Sequence, residues 1–66
     1  MDNYFQINEG MFLINKNTGD LLKVGGHMKT DSAYGRYFAV TNVITYECNI
    51  WDEGFIRCLC HKMEAN

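Results

Sequence analysis

Between its glycines this chain alternates apolar and polar residues with a period of two, and no other feature constrains the fold as much. Successive side chains of a strand point to opposite faces, so such alternation gives each segment one face for a core and one for water. Glycines at 10, 19, 25, 26, 35 and 54 cut the 66 residues into short segments, and there is no proline. Helical spacing is poor throughout. One helical turn is expected at residues 30–34, with Thr30 as N-cap and Gly35 as stop, and another short turn within 61–66. The expected fold is all-β, a single small domain over residues 1–66. Its sheet is antiparallel with four or five strands, and curls into an SH3-like barrel if the surplus apolar residues are to be enclosed.

The hairpins can be registered from the faces they would share. Residues 11–16 and 20–24 flank Asn17-Thr18-Gly19, which suits a three-residue loop ending on a left-handed glycine. Lys16 then opposes Asp20, Ile14 opposes Leu22 and Phe12 opposes Val24. The second hairpin takes residues 36–51 as a long arm, Asp52-Glu53-Gly54 as loop and 55–61 as return arm. Trp51 then faces Phe55, Ile50 faces Ile56, Cys48 faces Cys58 and Tyr46 faces Cys60. The core side would carry Phe38, Val40, Ile44, Tyr46, Ile50, Ile56 and the three cysteines. Sixteen residues exceed an ordinary strand, so a bend is expected at Thr41-Asn42. Residues 25–35 form the connection between the hairpins. At the N-terminus, Tyr4-Phe5 is expected to dock on the sheet, with residues 3–8 as a strand covering an open edge.

Size and charge exclude several functions. A chain this short buries only about 60% of its unfolded surface, so self-association as a homodimer is an expected source of stability. No apolar run approaches the length of a membrane span. No basic segment precedes an apolar one as in a secretory signal. Three cysteines cannot all pair within one chain. They suit reduced thiols, and the expected location is the cytoplasm. Net charge is −2, against the basic stripe of a nucleic-acid binder, and the scattered acidic residues are too few to mimic a DNA backbone.

The chemistry-bearing residues form no catalytic set. Cys48, Cys58, Cys60, His61 and His27 lack the knuckle spacing of a zinc site, so the cysteines read as small core residues and no metal or cofactor is expected. His27, Asp31 and Ser32 share a loop, but nothing positions them for catalysis, and an enzyme is not expected. Gly25-Gly26-His27 lacks the lysine and helix of a phosphate loop. The aromatics are more informative. On the second hairpin's polar face, Trp51 and Phe55 would stand beside Asp52 and Glu53, with Tyr34 and Tyr37 near the long loop. Aromatic anchors within a polar rim are the composition of a binding hot spot.

The size is one shared by many small bacteriophage and mobile-element proteins, and a surface is easier to build at this size than a cleft. The expectation is a binding protein that docks on, and inhibits, a larger host protein through Trp51, Phe55, Asp52, Glu53, Tyr34 and Tyr37. The alternative is an oligomer that sequesters a small ligand or nucleotide through His27, Lys29, Arg36 and Tyr34.

Overall fold

A computed structural model describes residues 5–63. The elements run β1 (Phe12–Asn15), β2 (Leu21–Asp31), β3 (Gly35–Asn42), β4 (Cys48–Asp52), α1 (Glu53–Leu59) and β5 (Cys60–Lys62). All four strand pairings are antiparallel, in the order β4-β3-β2-β1-β5. The fold is therefore all-β with one short helix. The sheet does not close into a barrel, because β4 and β5 end on opposite edges.

Three turns connect the first four strands, and they share one construction. Asn15, Asp31 and Asn42 each end or nearly end a strand. The side-chain Oδ1 of each accepts the N–H groups two and three residues on, at 2.7–3.2 Å. Four residues on stands a left-handed residue: Gly19 at φ 77°, Gly35 at φ 84° and Tyr46 at φ 65°. This side-chain cap moves the first hairpin by one residue from the expected register. Asn15 N–H donates to Asp20 O, so the loop takes Lys16 as well, and the pairs are Phe12 with Lys23, Leu13 with Leu22, and Ile14 with Leu21. The cap of the second turn is Asp31 rather than Thr30.

Two further differences matter. β2 runs on through Gly25-Gly26, where a long connection was expected. Two register shifts against β3, between Val24 and His27 and between His27 and Lys29, absorb its irregularity. An added Cβ on Gly25 would sit 3.3 Å from both Cβ and O of Ala39, so a glycine lets β2 lie close to β3 there. The long second arm also breaks. The chain reverses after Asn42, at the expected bend, but β4 continues into a helix rather than a hairpin loop. Asp52 Oδ2 accepts Phe55 N–H at 3.0 Å and caps that helix.

One sheet face is covered. Ile7, Leu13, Leu22, Val24, Phe38, Val40, Ile56 and Cys60 are buried together, with Phe5, Met11, Trp51 and Leu59 packed against them. Ile56 and Cys60 bring α1 and the start of β5 over this face, and Ile7 brings in the N-terminal segment. Residues 5–8 are not a strand but are tied down, with Phe5 O accepting Arg57 Nε at 2.9 Å and Ile7 O accepting an Arg36 guanidinium N–H at 3.3 Å. Tyr4 and residue 3, the rest of the expected edge strand, lie outside the described residues, as do residues 64–66 of the expected final turn. His61 and Lys62 belong to β5. The opposite face carries Phe12, Ile14, Leu21, Ala39 and Ile50, none of them fully buried.

The cysteine register is overturned. Cys48 pairs with Thr41 on the open face, whereas Cys58 rides on α1 at the covered face. Both are exposed and free, and they are not cross-strand neighbours. Ile44, Tyr46 and Ile50, expected in the core, are 77%, 79% and 54% exposed. Of the residues assigned to that face, Phe38, Val40, Ile56 and Cys60 are buried.

Candidate functional site

The β2–β3 turn and the β4–α1 junction meet at one end of the sheet, and they gather the aromatics singled out in the sequence. Tyr34 projects from the turn, 62% exposed. Tyr37, one strand in, pairs with Lys29 and Asp52 on the open face. Lys29 Nζ lies 4.7 Å from the centre of its ring. Partial burial, helped by the carboxylates of Asp31 and Asp52 and by nearby Tyr34, pushes the Tyr37 phenol above its ordinary value.

Trp51 and Phe55 do meet, though not across a hairpin. They are four residues apart where β4 enters α1, with ring centroids 5.1 Å apart in an edge-to-face arrangement. Trp51 sits on the covered side, half-buried against the core. Phe55 stays 46% exposed on the helix. The surface thus wraps round the sheet edge, with Trp51 as its base and Phe55 and Tyr34 as its exposed rings.

The two acidic residues are each engaged within the fold. Asp52 caps α1. Glu53 is the hub of an ion-pair network, its carboxylate accepting from Arg36 N–H at 2.8 Å, Arg36 Nε at 3.1 Å and an Arg57 guanidinium N–H at 3.0 Å. Hydrogen bonding to Arg36 leads in holding its pKa down at about 2, against partial burial, which acts the other way. Gly35 lies directly over this carboxylate, where an added Cβ would come within 3.0 Å of Oε2. The network therefore fastens the β2–β3 turn to the helix at the aromatic end.

The alternative ligand set is divided, with His27 and Arg36 against Phe38 and Lys29 on Tyr37. His27 Nε2 lies 2.9 Å from Thr30 Oγ1 and its ring is 5.8 Å from that of Phe38. Lys29 covers Tyr37, and Arg36 is engaged by Glu53 and stacked at 5.0 Å on Phe38. An open groove of about 490 Å³ does exist, elsewhere. Glu9, Gly10, Lys23, Gly25, Thr41 and Tyr46 are among its walls, and none of His27, Lys29, Arg36 or Tyr34 is. Sequence reasoning missed this groove because it had placed Tyr46 in the core. The signal that could have found it is the likeness of Asn42-x-x-Thr45-Tyr46 to Asn15-x-x-Thr18-Gly19, which puts Tyr46 on a turn.

Among the described residues, no three metal-ligating side chains gather, and no helix is long and apolar enough to cross a membrane. No protein-family model matches the chain, and no curated protein or solved structure matches it.

Proposed function

We propose that this chain is a binding protein that docks on a larger protein and blocks it, using the aromatic end of the sheet. The observation that supports the reading is the convergence of Tyr34, Tyr37, Trp51 and Phe55 from the β2–β3 turn, β3, β4 and α1 onto one end. That end is braced by Glu53 with Arg36 and Arg57. Large rings on a braced frame lose little freedom on binding, which favours an anchor role. Phe55 and Tyr34 are the anchors of this reading, and Trp51 supports Phe55 from beneath. Three free thiols, one of them buried, suit the reducing cytoplasm as the place of action. Stoichiometric inhibition of a host protein, as by a small bacteriophage protein, is the mode we infer.

The test is affinity capture from host lysate with the wild-type chain and with Tyr34→Ala and Phe55→Ala. Each substitution is expected to weaken the captured complex by about 2 kcal/mol while moving the melting temperature little, since both rings are exposed. Undiminished capture by the double variant would remove the aromatic end as the docking surface.

A small-ligand reading draws on the groove instead. Lys23 and Glu9 offer charges of both signs there, and Tyr46 offers a ring. Native mass measurement of the protein purified from its host separates the readings, because a retained small molecule supports only the second.

A further inference from the structure

The sheet has two ends, and they are not protected alike. β5 is three residues long and presents exposed His61 and Lys62. The half of β2 that extends beyond β1 is broken by two register shifts and carries His27, Lys29 and Asp31. Short strands, irregularities and charges of this kind keep an edge from pairing with another chain. β4 has none of them. Its pairing with β3 is unbroken, it holds neither lysine nor proline, and its one charge, Asp52, is occupied in capping α1.

The direction of its free backbone groups follows from the ladder. Asn42 N–H donates to Glu47 O at 2.8 Å, so that pair is hydrogen-bonded. Alternation then makes Val40 with Asn49 and Phe38 with Trp51 hydrogen-bonded pairs. The N–H and C=O of Cys48 and Ile50, and the N–H of Asp52, point away from β3 to the open edge. The C=O of Asp52 is turned into the first turn of α1. The helix itself packs on β3, β4 and β5, so it crosses under the sheet and leaves this edge clear.

The apolar surface is distributed about the same strand. Among the described residues, the two most exposed large hydrophobic residues, Tyr46 at 79% and Ile44 at 77%, lie in the turn that precedes it, and Ile50, at 54%, is its midpoint. We propose that β4 pairs antiparallel with β4 of a second copy of this chain, about a two-fold axis through Ile50, joining two five-stranded sheets into one.

The occupant is a second copy because the edge is self-complementary about Ile50: the N–H and C=O of Ile50, and the Asp52 N–H with the Cys48 C=O, match the same groups of another copy. Ile50 of each copy exchanges N–H and C=O with Ile50 of the other. Asp52 N–H of each donates to Cys48 O of the other, so the carboxylates oppose thiols rather than one another.

The test is sedimentation of the full chain from micromolar to millimolar concentration, with amide hydrogen exchange at both limits. The expected result is a mass that doubles from 7.6 kDa as concentration rises, with the Ile50 and Asp52 amides gaining protection in step. Ile50→Lys, which adds an edge guard at an exposed position, is expected to raise the dissociation constant at least about 100-fold. A monomer at millimolar concentration overturns the proposal, as does a dimer indifferent to Ile50→Lys. So does protection of the β4 amides only when a different protein is added. The exchange readout on the wild-type chain stands even if the lysine variant folds poorly. Tyr34 and Phe55 are unchanged in it, so loss of self-pairing is separable from loss of docking.

Discussion

Tyr46 and Gly19 occupy the same place in two copies of one turn. Both follow an asparagine cap by four residues, and both have positive φ. Glycine adopts that conformation freely, whereas a tyrosine is strained there by about 1 kcal/mol or more. Nothing lies within 4 Å of a Cβ added at Gly19, so conformation alone distinguishes the two sites. Tyr46→Gly is therefore expected to stabilise the monomer by about 1 kcal/mol, and Gly19→Ala to destabilise it by a similar amount, in urea unfolding. A Tyr46→Gly variant no more stable than wild type would mean that packing of the ring in the groove offsets the strain. The turn was half legible in the sequence. Gly19 signals the left-handed residue, but Asn15 takes two N–H groups at once and starts the loop one residue early. In a sheet a one-residue error exchanges the faces, and Leu13 rather than Ile14 faces the core.

At the scale of elements, α1 is where local chemistry outweighed the alternation. Ile56, Cys58 and Cys60 fit a period of two, but Ile56, Leu59 and Cys60 also fit a helical stripe, and these are the residues that pack in or against the core. Asp52 caps the helix, Glu53 pairs with Arg57 one turn on, and Asp52-Glu53-Gly54 is its beginning rather than a hairpin loop. The sequence contained the cap and the i, i+4 pair, but not the distant Arg36, which binds Glu53 most closely. Titration exposes that tie. Folding lowers the Glu53 pKa from 4.5 to about 2, so the unfolded chain takes up this proton first as pH falls. Its stabilising contribution is complete above about pH 4.5 and is lost as pH drops towards 2. Allowing for the partial solvent exposure of Arg36, the loss is on the order of 1–2 kcal/mol. Melting temperatures at pH 7 and pH 3 should therefore differ more for wild type than for Glu53→Gln. Equal differences in the two proteins would show that the network contributes nothing to stability.

For the whole molecule, the sequence conveyed the class and the strand number, because alternation and glycine spacing are local signals. It did not convey the order of the strands. A second hairpin would have left β1 at an edge. In the structure α1 carries the chain beneath the sheet instead, and β5 covers that edge. The choice depends on the fit of Ile56 and Cys60 against Val24, Phe38 and Val40, which no single segment encodes. The aromatic end was legible as a set of residues but not as a surface, since the turn bearing Tyr34 and the helix bearing Phe55 are joined through Arg36 and Glu53, distant in sequence. The same strand order has a temporal consequence. β1 to β4 form a meander of neighbours in sequence, and each hairpin can close quickly. The pairs of β5 with β1 join residues 45 to 49 positions apart, so their closure must wait for the meander. What closes last on folding opens first in fluctuation. Native-state hydrogen exchange should find the β1–β5 amides opening with a smaller free energy than those between β2 and β3, like a clasp released while the chain it fastens stays whole.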